Sequence, residues 1–224
     1  MTATSETLAL RVHVPVACFR EPYAREYWAS YPLPPPSTVY GMLLSLVGEV
    51  NRLEHTSARI AIARLREAEV SRVLRTFYRW KEKEITSDKN RTPDWQELLT
   101  DVRLGVWVRD GADEPAEADA GTLRARLQGC LTDPTSVSRF GGLSLGESSH
   151  LVDGIWSLSE RPPDEAKGER LDQLIAAEDG DLTLPIWPDH VGSKGSRWGR
   201  YRLQCGPAGP TMEPKSFTAI LPPT

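Results

Sequence analysis

Residues 8–18 alternate. Leu8, Leu10, Val12, Val14, Val16 and Cys18 fall on one face, with Arg11 and His13 on the other, the period-two signature of a half-buried strand. Pro15 interrupts it. Proline cannot donate to a central ladder, so either the pairing ends near Val14 or a bulge intervenes. An aromatic and proline-rich loop, residues 19–36, leads into Val39, Leu43, Leu46, Val47 and Val50, which follow helical spacing. Three prolines bar helix before Ser37, which reads as its N-cap.

The period then returns to two. Residues 60–66 read as a strand with Ile60 and Ile62 on one face. Residues 70–83 read as another, with Arg75, Phe77, Arg79, Lys81 and Lys83 on one face and Tyr78 and Trp80 on the other. A helix also fits there, but the Thr-Phe-Tyr-Arg-Trp run favours strand. Residues 84–100 are polar and turn-prone. Val102, Leu104, Val106 and Val108 then form the cleanest alternation in the chain. Residues 111–121 read as an acidic loop, residues 123–131 as a second helix, and an apolar strand running to Trp156 follows a glycine-punctuated stretch. Residues 160–181 look like a charged linker or short helix, and residues 182–224 hold short β-like pieces among glycines and prolines. The order strand, helix, strand, strand, helix, strand predicts an α+β fold of the split βαβ, ferredoxin-like kind. We place that domain at residues 1–160. A long excursion between its second and third strands, a thumb at about residues 77–104, interrupts it, and residues 161–224 form a small irregular, β-rich C-terminal extension.

Composition changes the picture only in its distribution. The chain has 224 residues and a formal charge of −4, which by itself argues against a polyanionic partner. Residues 57–91, however, hold ten bases against five acids, residues 110–189 hold seventeen acids against six bases, and the tail from His190 has five bases and one acid. Such segregation confines any anion-binding surface to part of the molecule; a solvated charged face is the plainer reading of a charge run alone. No stretch is apolar enough to span a membrane. Cys18, Cys130 and Cys205 lack metal-ligand spacing, and the reading is a reduced cytoplasmic protein without cofactor or metal.

Three segments together resemble the Cas-five family of CRISPR-associated proteins, part of the RAMP superfamily of ferredoxin-like (RRM-like) RNA-binding subunits. They are Tyr31-Pro32-Leu33-Pro34-Pro35-Pro36-Ser37-Thr38-Val39-Tyr40-Gly41-Met42-Leu43 after a strand ending in Phe19-Arg20, the strand from Val73 to Lys81, and the glycine-rich run from Arg139 to Ser148. The resemblance covers roughly residues 8–160 and is nearest a type I-B or related branch. It implies a non-catalytic subunit of a type I surveillance (Cascade) ribonucleoprotein in antiviral defence. Such a subunit binds the repeat-derived 5′ handle of crRNA and caps the foot of the complex, beside a repeated backbone subunit and a large subunit, with target DNA nearby. Some members additionally cut precursor RNA with a tyrosine, lysine and histidine set. A ferredoxin-like interaction module without RNA is the third reading, because this fold hosts many functions.

A single-stranded handle needs cations for phosphates, flat groups for bases, and glycine where backbones meet. Arg75, Phe77, Arg79, Lys81 and Lys83 interleave charge with an aromatic, and Trp80 lies opposite. Phe77 and Trp80 also suit plain core, but like charges on one strand face repel unless an anion is present. Ser37 and Thr38 open a helix whose free N–H groups suit phosphate, or they only cap it. Gly141, Gly142 and Gly146 allow close backbone approach or simply a tight turn. Arg103 faces away from the aliphatic core, toward RNA or toward a lid. The resemblance adds Arg20, Tyr40, Arg139 and Ser144. His150, just after the glycine-rich run, is the one histidine placed for acid–base chemistry, against a structural or RNA hydrogen bond.

Overall fold

The computed structural model describes residues 6–22, 27–78, 80–112, 121–160, 170–189, 195–208 and 212–223. The first alternating segment is strand β1 (Leu8–Ala17), and Leu8, Leu10, Val12 and Val14 enter the core. Strand β2 (Tyr27–Trp28) is short, and helix α1 (Pro36–Leu46) follows it. Strands β3 (Arg59–Arg64), β4 (Glu69–Tyr78) and the nineteen-residue β5 (Arg91–Arg109) come next, then helix α2 (Leu123–Thr132) and strand β6 (Gly154–Ser157). Strands β7 (Asp172–Ala176), β8 (Leu182–Trp187), β9 (Arg197–Gln204) and β10 (Thr218–Ala219) complete the chain.

One mostly antiparallel sheet runs β6-β1-β5-β3-β7-β9-β8. Its first four strands are antiparallel neighbours, with α1 in the connection from β1 to β3 and α2 in that from β5 to β6. Val39, Tyr40, Leu43, Leu123 and Leu127 of the helices share one core with Leu10, Val12, Leu104 and Val106 of the strands. Ala61, Ala63, Leu65, Trp107 and Leu171 make a second cluster with Ala208, Met212 and Phe217. Trp107 is therefore lidded by the C-terminal part of the chain.

Four expectations need correction. The β1–β5 ladder neither ends at Val14 nor shifts register as a bulge would; it continues through Val16↔Thr100 to Ala17↔Leu99. The buried face changes there, for Val16 is exposed while Ala17 and Leu99 are buried. Pro15 removes a donor at this point, and Asp101 across the ladder has φ 55, a left-handed conformation that Asp tolerates better than most residues. Arg103 Nε (2.8 Å), Arg66 Nη1 (2.8 Å) and His13 Nε2 (3.2 Å) hold the Asp101 carboxylate.

Second, Ser37 does not cap α1. Pro35 occupies the N-cap with no side-chain bond, and its carbonyl accepts from the Thr38 and Val39 N–H groups. Pro36 fills the first helical position, where a missing N–H costs nothing. Third, the β4 strand ends at Tyr78, not Lys83, and residues 91–100 are strand rather than turn, so β4 and β5 form a long hairpin from Glu69↔Thr100 to Tyr78↔Arg91. Buried Asn90 knots its tip: Oδ1 accepts from the Lys81 and Glu82 N–H groups, and Nδ2 donates to the Glu82 and Glu84 carbonyls. Fourth, the charged segment around residue 172 is strand, because the charge of Asp172 is buried and paired.

Fully buried Asp172 accepts from Arg64 Nη2 (2.8 Å) and Nε (3.1 Å), from the Gly206 N–H (3.2 Å) and from Arg170. Burial alone would raise its carboxyl; Arg64, Gly206 and Arg170 outweigh that and hold it below the usual carboxylate value. A lowered carboxylate pKa contributes stability that is present at neutral pH and lost as pH falls through the folded-state value. Asp172→Ala should destabilise the protein by about 3–5 kcal/mol, since it strands Arg64. It should also flatten the acid limb of a melting-temperature profile below the ordinary carboxylate value of about 4.

Candidate nucleic-acid interface

The start of α1 and the glycine-rich loop meet in a groove of about 290 Å³, lined by Ser37, Thr38, Gly41, Met42, Ser45, Ser144, Gly146 and Pro188. Two segments about a hundred residues apart thus converge, bringing four hydroxyls to a helix start whose Thr38 and Val39 amides are already bonded to the Pro35 carbonyl. Tyr40 is turned away. It is 2 % exposed, and its hydroxyl donates to the Arg52 carbonyl at 2.8 Å.

The loop is pinned from inside. Ser144 bridges Leu151, the Leu145 N–H donates to the His150 carbonyl (3.0 Å), and the Val152 N–H to Leu143 (2.8 Å). Gly146 has φ 99, and a Cβ there would stand 2.8 Å from the Cys18 carbonyl oxygen, so glycine is required where the loop crosses the end of β1. Gly141 and Gly142 are exposed. A Cβ on Gly142 would meet only the end of the Leu151 side chain.

His150 belongs to this scaffold. Its Nδ1 accepts from the backbone N–H groups of Cys18 (3.2 Å) and Glu147 (3.3 Å), which fixes the proton on Nε2, 3.9 Å from Glu147 Oε2. Burial lowers its pKa, Glu147 opposes that, and Arg75 adds to it. The ring is neutral and occupied.

The hairpin is tied to the same loop. Arg75 Nη1 donates to Gln96 Oε1 (2.6 Å) and to Glu147 Oε2 (3.3 Å), and Gln96 Nε2 donates to Glu147 Oε1 (2.5 Å). Gln96 is wholly buried. The anion that the cationic strand face required is therefore internal, with Glu147 on Arg75 and Asp94 directly across the ladder. Phe77 stacks on Trp28 with ring centroids 3.9 Å apart, the Arg20 guanidinium lies 3.7 Å above the indole, and Arg75 stands 5.4 Å from the phenyl ring. Arg20, Arg75 and Phe77 thus form one column with Trp28 on β2. Arg79 lies outside the described residues. Lys81 and Lys83 sit in the exposed tip, where Lys81 Nζ approaches Thr92 Oγ1 at 3.5 Å. Trp80 is also at the tip, 73 % exposed. Arg103 is engaged by Asp101, whereas Arg139 is exposed beside Phe140, which is fully exposed.

Trp28, Gln96, Glu147 and Phe140 are the residues that sequence reasoning passed over. Phe140 and Glu147 lie inside the glycine-rich run itself. Trp28 sits in the aromatic loop, where its neighbours gave no period, and Gln96 sits in a stretch read as turn.

The chain matches the family model described as CRISPR-associated protein (Cas_Cas5) over residues 7–195. The CRISPR-associated protein Cas5 of Myxococcus xanthus (strain DK1622) is 42% identical over 209 residues, 92% of this chain and 94% of that protein. A solved chain described as a CRISPR RNA-guided surveillance complex shares the fold with a TM-score of 0.57 at 16% identity, covering 90% of this chain and 89% of that one. Another, described as a Cas protein, gives 0.50 at 16% identity over 94% of this chain and 98% of that one. The chain belongs to the Cas5 family of CRISPR-associated proteins.

Two outcomes test the scaffold. Trp28→Ala removes the middle of the column; unfolding stability should fall by about 1–3 kcal/mol, and trypsin should cut sooner at Lys81, Lys83 or Lys89. Because the folded state disfavours a charged His150, wild-type stability should fall as pH drops below the unfolded histidine value of about 6.5. That loss should shrink in His150→Gln, measured by melting temperature across the same range.

Proposed function

We propose that this chain is a non-catalytic subunit of a type I CRISPR surveillance complex, holding the 5′ handle of the guide RNA in the groove between α1 and the glycine-rich loop. The β4–β5 hairpin is the thumb that reaches over the guide. The observation that carries this reading is the convergence of Ser37, Thr38, Ser144 and Gly146 in one groove, with the hairpin fastened to that loop through Arg75, Gln96 and Glu147. Single-stranded RNA is held by hydroxyl and amide donors on its backbone, by exposed cations, and by aromatic platforms. The groove supplies the first, Lys81, Lys83 and Arg139 the second, and Phe140 and Trp80 the third.

The strand order β6-β1-β5-β3 with two helical crossovers supports a ferredoxin-like reading of the core. The kinship to Cas5 and the fold shared with a chain of an RNA-guided surveillance complex support membership in such an assembly. Docking beside a backbone subunit and a large subunit agrees with the exposed outer face of the hairpin, where Val70, Leu74, Tyr78 and Trp95 lie open, a pattern that marks interaction surfaces. Binding rather than cleavage is supported by His150, whose acceptor nitrogen is already used by two backbone amides. A general base needs that lone pair free.

The decisive experiment purifies the complex from cells with variants of this subunit and measures guide RNA retention and salt dependence. Ser37→Asp with Ser144→Asp should expel the handle while leaving the melting temperature of the subunit unchanged. Lys81→Ala with Lys83→Ala should lower the salt slope by about 0.7 for each phosphate that is no longer neutralised, whereas Arg75→Ala should loosen the hairpin. Unchanged RNA retention in the Ser37 and Ser144 double variant would sink the proposal. So would metal-independent cleavage of a repeat transcript that vanishes in His150→Ala.

A further inference from the structure

The strands that follow residue 170 carry a cleft that the RNA reading does not use. It measures about 570 Å³ and is bounded by β7, β8, β9 and the segment around β10. Its wall is aliphatic where Ala176, Ile186, Ala219 and Leu221 line it. Tyr201, also in the wall, is 2 % exposed and has its hydroxyl satisfied by Thr218 Oγ1 at 3.1 Å. Gly199 keeps the space open, since a Cβ there would stand 2.8 Å from the Tyr201 ring and 3.0 Å from Ile186 Cδ1.

The rim is basic. Arg197 and Arg200 line the cleft against one carboxylate, Glu178. Arg200 is fixed, its Nε and Nη2 both donating to the Gly180 carbonyl at 3.2 and 3.0 Å, a neutral partner that contributes no countercharge. Phe217 closes one side, with Arg109 at 4.3 Å and Arg59 at 5.9 Å from its ring. Arg59 and Arg109 are direct cross-strand partners, an arrangement that is unfavourable without a nearby anion.

We propose that this cleft is a docking socket for another protein, receiving a leucine- or phenylalanine-sized side chain from an acidic segment. The aliphatic wall gives such an anchor the desolvated pocket that interface hot spots occupy, and the arginine rim complements and steers the flanking carboxylates. A nucleic acid is a poorer fit. The Ala176, Ile186, Ala219 and Leu221 side chains have no polar group to read a base edge, and Arg109 packs over the Phe217 ring where a base would stack.

The test uses the full-length chain and a fluorescein-labelled synthetic peptide with a central Leu-Phe pair between glutamates, followed by anisotropy. Controls replace Leu-Phe by Ser-Ser, or the glutamates by lysines. Arg197→Glu should weaken binding of the acidic probe by about tenfold or more, with melting temperature and guide RNA retention unchanged. Ala219→Trp should fill the socket to the same effect; should it fail to fold, the Arg197→Glu comparison still decides. Equal binding by Arg197→Glu, equal binding of the Ser-Ser control, or displacement of the peptide by single-stranded RNA would overturn the proposal. Because RNA retention is read on the same preparations, loss of the RNA reading would be visible separately.

Discussion

The change of face at Pro15 and Asp101 is the constraint on which the site depends. On one side of it β5 is a central strand, sealed between β1 and β3 with Val102, Leu104 and Val106 in the core. On the other side the same strand runs on as one limb of the hairpin. An unbroken alternation would have carried Thr100 rather than Leu99 into the core and reversed both faces of the hairpin. Gln96 would then point away from Glu147, and Phe77 away from Trp28. One left-handed aspartate, held by three basic side chains, therefore aims the arm.

Much of the charge that makes the sequence look like a nucleic-acid binder is spent inside the molecule. Arg64 answers Asp172, Arg103 and Arg66 answer Asp101, Arg75 answers Glu147, and Arg126 answers Glu49. Exposed cations remain at the hairpin tip and beside Phe140, whereas the lining side chains of the groove carry hydroxyls and no charge.

The core was legible because its residues obey one period at a time. Leu8 to Val14, Val102 to Val108 and the α1 face from Val39 to Leu46 each announce their element. The legible part of the groove was equally local: Ser37 and Thr38 from the proline junction, Gly146 from the loop. The illegible part has a common cause. Residues 91–98 and 172–173 are strand positions whose buried members are polar, Asp94, Gln96, Asp172 and Gln173, and no hydropathy pattern distinguishes a buried paired carboxylate from a solvated one. Trp28 was hidden otherwise, since its partners Arg20 and Phe77 come together only through the fold.

The return of the chain to β3 has a further consequence. β3 pairs with β10 at Thr218↔Ile60 and Ala219↔Arg59, the Ser57 N–H donates to the Ile220 carbonyl at 2.7 Å, and Ile220 is wholly buried. A strand made early in synthesis thus waits for residues near position 220 before its edge is covered. While the ribosome still holds those residues, β3 presents open amides and carbonyls, the kind of edge that invites stray pairing. A chain lacking residues 218–220 therefore keeps an adhesive flank on β3, exposed to stray pairing and to proteases.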